Sequence, residues 1–295
     1  MTHDQALSPG AHVITINGVE QHYHIAGQGP LCIAHSGGPG IDWEYLRMPL
    51  VEEHLTIMYV EPIGTGSSGR LADHPRGYGI ERYSDQIHGL LETLDLSGVL
   101  LLGHSHGGFV VQHLAIAHPE RVAGIIVYDS SAVTGREFMM AAGEEVEAFV
   151  QRHAGSAEAE GVLRAWQSMP TIGSDTEYTA ALQELLPIYF ADHDSTGVSF
   201  RQLRSSLRAT FLIGDGLPFD VRDALPELAM PTLILVGEHD FICGPRWAAI
   251  LHGIICDAQL VCFDRSGHFA HIEQAPEFAE AVVAFAIAAS SPIPQ

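Results

Sequence analysis

The segment Gly103-His104-Ser105-His106-Gly107 sets a serine between two glycines. An apolar run (residues 99–102) precedes it and a helical pattern (about 106–118) follows. A serine on such a tight strand-to-helix turn projects its hydroxyl above a sheet, and the glycines let neighbouring backbone pass close by. Unpaired N–H groups at the start of the helix offer positive potential to a developing oxyanion. Short Gly/Ser patterns arise by chance, and it is the strand before and the helix after that give this one weight. Ser105 is the candidate nucleophile for acyl transfer.

A serine of this kind needs a base and a group to orient the base. Asp240 follows the apolar run 233–236 through Gly237-Glu238-His239, and His268 follows the run 260–263 through Asp264-Arg265-Ser266-Gly267. Both come just after the carboxyl end of a strand, the edge where parallel sheets place their ligands. In this arrangement His268 takes the Ser105 proton and returns it to the leaving group. Asp240 fixes the imidazole tautomer and stabilises its cation. Taken singly, an Asp in a Gly-rich loop is usually a turn former, so the argument rests on the joint order of nucleophile, acid and histidine. Asp129, which ends the run 125–128, is the alternative acid; His271 is the competing histidine and is expected to cap or pack.

A second Gly-rich loop, His35-Ser36-Gly37-Gly38-Pro39-Gly40, follows the apolar run 31–34. The backbone N–H of Gly38 (or of Gly37) and that of His106 are the expected oxyanion donors. Gly37 and Trp43 are placed to contact substrate.

The chemistry so described needs no metal or cofactor. Eighteen histidines invite a metal reading, but His22 and His24 suggest no third ligand and no H-E-x-x-H pattern occurs. A net charge of −22 with only 14 scattered Lys and Arg argues against a nucleic-acid backbone as partner. A small-molecule substrate is expected instead, with the acidic surface serving solubility. No stretch approaches the roughly 20 apolar residues of a membrane span. The polar start lacks a secretory pattern, and Cys32, Cys243, Cys256 and Cys262 show no paired spacing, so a cytoplasmic location is expected.

The elements that must carry these residues alternate along the chain. Residues 13–16 and 21–25 flank Asn17-Gly18, a hairpin signal. Short apolar runs then alternate with helical patterns up to Tyr128, which implies a mostly parallel sheet covered on both faces. From 133 to 222 the rhythm breaks into Ala- and Glu-rich helical patterns, and it resumes at Thr232. The expected organisation is an α/β core (1–132 and 223–295) with a helical lid (133–222) over Ser105. Phe138, Trp166, Tyr189, Phe190 and Phe200 in the lid are expected mainly to glue it to the core.

Together these segments resemble the α/β-hydrolase superfamily, and within it the proline-iminopeptidase-like group. Gly37-Gly38-Pro39-Gly40, the Gly64-x-Gly66-x-Ser68 loop, the Asp240 loop and Gly267-His268 carry the likeness. Ser36 stands where that group usually has histidine. Glu61-Pro62-Ile63 replaces its Asp-Gln-Arg, and the elbow reads Gly-His-Ser-His-Gly for its Gly-Gly-Ser-Trp-Gly. The resemblance implies acidic lid residues that hold a substrate's free amine, and Glu144, Glu145, Glu147, Glu158, Glu160, Glu177 and Glu184 are all available for that role. The expected activity is hydrolysis of a small ester, lactone or amide through an acyl-enzyme. The alternatives are an aminopeptidase of the iminopeptidase type, a cofactor-free C–C hydrolase, or a non-catalytic ligand receptor of the same fold.

Overall fold

A computed structural model describes residues 3–290; the outermost ends of the expected core, 1–2 and 291–295, lie outside them. The strands are β1 (Gly10–Ile16), β2 (Val19–Gly27), β3 (Leu31–His35), β4 (Thr56–Val60), β5 (Val99–His104), β6 (Val122–Tyr128), β7 (Thr232–Gly237) and β8 (Ala258–Phe263). They form one eight-stranded sheet in the order β1-β2-β4-β3-β5-β6-β7-β8. The β1–β2 and β2–β4 pairs are antiparallel, and every later pair is parallel. Asn17 and Gly18 turn the first hairpin with φ of 52° and 80°, the left-handed pair that a two-residue turn between twisted strands requires.

Side chains alternate across the sheet because a strand has a period of two. Ile33, Met58, Leu101, Ile125, Val127 and Ile234 share one core with Ile87, Leu90, Val110 and Leu114 from the helices Ile80–Thr93 and His106–Ala117. Their neighbours Ala34, Ile57, Leu102, Ile126 and Leu235 face the opposite side, against Phe278, Val282 and Phe285 of the helix Ala275–Ser290. The central strands are buried on both faces, which explains their unbroken apolar runs. β8, at the sheet's edge, is half exposed, and Cys262 on it is exposed, as is Cys256.

Between β6 and β7 run the helices Arg136–Arg152, Ala157–Ser168, Asp175–Tyr189 and His193–Ser206. Ser156, Ser174 and Asp192 cap three of them by accepting first-turn N–H groups. The segment holds its own apolar clusters, one of which joins Val146, Val162 and Leu185 to Phe241 in the loop after β7. Among the described residues, no helix is long and apolar enough to cross a membrane.

Candidate active site

Ser105 sits between β5 and the helix His106–Ala117 with φ 55° and ψ −119°, a conformation that strains any residue with a side chain. The two glycines of the motif are explained by close approach. A Cβ on Gly103 would lie 2.1 Å from the carbonyl oxygen of Gly107, and one on Gly107 would lie 2.2 Å from that of His35. The turn is held by the Ser105 N–H donating to the Tyr128 carbonyl (2.9 Å) and by Ser130 Oγ donating to the Ser105 carbonyl (2.8 Å). His106 opens the helix, so its N–H belongs to the first turn, which has no intrahelical partner.

His268 and Asp240 come together as a buried pair, with Nδ1 2.7 Å from Oδ2. Asp240 Oδ1 accepts the N–H groups of Ile242 (2.9 Å) and Cys243 (3.2 Å), which fixes the carboxylate's plane. A carboxylate facing Nδ1 makes that nitrogen the donor and leaves Nε2 as the free base. His268 and Ser105 line the same cavity, with no hydrogen bond between their side chains, a contact of the kind that often tightens only around a substrate. Asp129, the alternative acid, is fully buried, but it is Asp240 that bonds His268.

Gly37 lies against Ser105: a Cβ there would approach Ser105 Cβ and Tyr45 Oη to 2.9 Å each. The Gly37 N–H donates to Tyr45 Oη (2.6 Å), which leaves the N–H of Gly38 as the loop's candidate oxyanion donor. Trp43 departs from expectation. It stacks on His24 (ring centroids 4.2 Å apart) and leans on Tyr59 (5.2 Å), away from the cavity. The short helix Trp43–Leu46 turns Trp43 into the sheet's core and Tyr45 toward the site. His271 packs, as expected, with Nδ1 2.9 Å from Tyr128 Oη and Nε2 2.9 Å from the Tyr45 carbonyl.

The sequence reading missed His104 and Tyr45. His104 Nε2 is 2.9 Å from the His268 carbonyl, and its Nδ1 is 2.7 Å from Tyr45 Oη. Burial, aided by His268 and His271, holds His104 well below the usual histidine range. Burial likewise pushes His106 down to about 3 and His271 down to about 4. These neighbours therefore stay uncharged at neutral pH.

The Ser105 cavity is about 230 Å³, below the usual range of roughly 300–1,000 Å³ for ligand pockets. Tyr178, Leu182, Leu186 and Tyr189 roof it from one stripe of the helix Asp175–Tyr189, with Met169, Leu207, Ile242 and Phe269 beside them. Among the described residues, its lining includes no Asp, Glu, Lys or Arg. Glu144 and Glu145 face a separate cleft of about 570 Å³ whose lining includes neither Ser105 nor His268. Glu177 and Glu184 face a third hollow.

The family model for the alpha/beta hydrolase fold matches residues 29–275. The chain belongs to the α/β-hydrolase family. It is 28% identical to a 2-hydroxymuconate semialdehyde hydrolase of Pseudomonas sp. (strain CF600), over 90% of this chain and 89% of that protein. It is 24% identical to a proline iminopeptidase of Lactobacillus acidophilus, over 88% and 92% respectively. Among solved structures, an esterase from Exiguobacterium antarcticum superposes with a TM-score of 0.68 at 23% identity, over 95% of this chain and 100% of that one. These proteins are named for different activities, so the family alone does not choose the substrate.

Proposed function

We propose that this α/β-hydrolase is a serine hydrolase that moves the acyl group of a small, uncharged ester, lactone or amide to water through Ser105. His268 removes the hydroxyl proton as the oxygen attacks the carbonyl, and then protonates the leaving group. Asp240 holds the ring and balances its charge. The N–H groups of Gly38 and His106 receive the oxyanion. Water repeats the sequence on the acyl-enzyme. The helical segment 133–222 acts as a lid that supplies the apolar roof. The observation that carries this reading is the buried 2.7 Å Asp240–His268 pair opening onto the same cavity as the strained Ser105.

The cavity lining weighs against the two rival hydrolase readings. An aminopeptidase must desolvate an ammonium group and a semialdehyde-acid hydrolase a carboxylate, and an unpaired buried charge costs several kcal/mol. Among the described residues, no Asp, Glu, Lys or Arg lines the cavity to repay that cost. A receptor role predicts labelling without turnover.

The test is a fluorophosphonate probe and a panel of p-nitrophenyl acetate, butyrate and hemisuccinate, with prolyl and alanyl p-nitroanilides alongside. Labelling lost in Ser105→Ala, together with turnover of the neutral esters, is the expected result. Labelling at Ser105 with turnover confined to the aminoacyl amides would replace the substrate class. Absence of labelling would remove the mechanism.

A further inference from the structure

Asp129 follows β6 with its backbone in the left-handed region (φ 43°), which costs any residue other than glycine. Its side chain is fully buried. Oδ1 accepts the Gly237 N–H at 2.8 Å, while Oδ2 is buried with no partner donating to it. The carboxyl and the ring nitrogens of His104 and His268 approach within 4.8 Å of one another, yet neither ring donates a hydrogen bond to Asp129 Oδ2. His104 is neutral and committed to Tyr45 and the His268 carbonyl, and His268 Nδ1 is committed to Asp240. Among the described residues, the other ionisable groups facing Asp129 are Asp240 and Cys243 from the loop after β7, Cys262 on β8, Glu273 from beyond β8, and Tyr128 beside it on β6. None is a cation.

An ionised Asp129 would thus be a second buried negative charge neighbouring Asp240 with one oxygen unpaired, and a shared proton is what two buried, interacting carboxylates favour. A protonated Asp129 removes the conflict, because its Oδ2 gains a hydrogen and needs an acceptor. We propose that Asp129 is an uncharged carboxylic acid whose Oδ2–H donates to the Asp240 carboxylate, making it a positioning residue for the Asp240–His268 pair. Burial, reinforced by the charge of Asp240, lifts the Asp129 carboxyl well above the usual carboxylate range. The donated hydrogen bond tempers the basicity of Asp240, so the Asp240–His268 bond orients the ring while the proton stays on the imidazole.

The inference rests on the serine-hydrolase reading of the site, and its test separates the two. Difference infrared spectra at pH 7, wild type minus Asp129→Asn, should show the carbonyl band of a protonated carboxylic acid, shifted in D2O. No such band would overturn the proposal. The band without any acyl turnover would keep the neutral acid and remove the hydrolase reading. With turnover, Asp129→Asn, whose amide can both accept from Gly237 and donate to Asp240, should keep kcat within about threefold and leave the acid limb of the pH profile in place. Asp129→Ala should lose roughly 10- to 100-fold in kcat with KM little changed, its acid limb moving to higher pH. If Asp129→Ala does not fold, the infrared band and the Asn variant decide alone. An Asn variant as impaired as an ionised acid's loss would make it, at about 10⁴-fold, contradicts the proposal.

Discussion

The hydroxyl of Tyr45 stands 2.7 Å from Nδ1 of His104, and this contact fixes which atoms carry the hydrogens in a chain of groups behind Ser105. The His268 carbonyl can only accept, so His104 Nε2 carries the hydrogen across 2.9 Å and Nδ1 is left as an acceptor. Tyr45 must donate to Nδ1, and its oxygen in turn accepts the Gly37 N–H at 2.6 Å. The Gly-rich loop, the elbow and the base-bearing loop are thereby joined by one set of directed hydrogen bonds.

Tyr45→Phe removes the middle of that chain and leaves the Gly37 N–H and His104 Nδ1 without partners. Unfolding in urea should show a loss of about 1–3 kcal/mol. Loosening of the loop beside Ser105 should lower kcat by roughly 10- to 100-fold. An unchanged kcat would show that the oxyanion loop is held by other contacts.

Asp240→Asn keeps the shape of the site but presents a donor or a weaker acceptor to His268 Nδ1. Loss of the correct tautomer should reduce kcat by about 10⁴-fold, with fluorophosphonate labelling slowed in proportion. Labelling at the wild-type rate would assign the orienting role to a different acid.

Gly37→Ala places a methyl group 2.9 Å from both Ser105 Cβ and Tyr45 Oη. Neither neighbour sits at the end of a long flexible chain, so the elbow or the loop must shift. Turnover should fall by about 100-fold or more while the circular dichroism spectrum is preserved.

Glu273 ties the loop bearing His268 to the turn between the helices Asp175–Tyr189 and His193–Ser206, its two oxygens accepting the N–H groups of Gly267 (2.7 Å) and Ala191 (2.8 Å). Burial lifts its carboxyl to about 7 despite these two donors. A folded-state value above the unfolded one means the folded protein holds the proton more tightly. The resulting stability is complete below about pH 4.5 and is lost as pH rises through about 7. Urea midpoints should therefore carry a declining component between these limits, and Glu273→Gln should flatten it. The same slope in the variant would place its origin elsewhere.

Much of this site is written in the strand ends. Ser105, Asp240 and His268 each follow an apolar run of the right length; His268 bonds Asp240 and lines the same cavity as Ser105. What the sequence hides is rotation. Trp43 and Tyr45 are two residues apart in a four-residue helix, and only the packing of Trp43 on His24 decides which aromatic faces the cavity. His104 is missed because the x of G-x-S-x-G carries no stated demand, although its place at the strand's buried end marks it as needing polar partners. The stripe that covers the cavity carries a regular signal. Tyr178, Leu182, Leu186 and Tyr189 recur at helical spacing along one face. Asp129 shows the limit of local patterns: its position is readable, but its charge state depends on Asp240, more than a hundred residues along the chain.

The most direct test of the account is the covalent intermediate itself. Rapid mixing with p-nitrophenyl butyrate should release a burst of nitrophenol equal to the active sites. Acid quenching within the burst, followed by digestion and mass spectrometry, should place a butyryl group on Ser105. A butyryl group on any other residue, or steady turnover with Ser105 never modified, would contradict it.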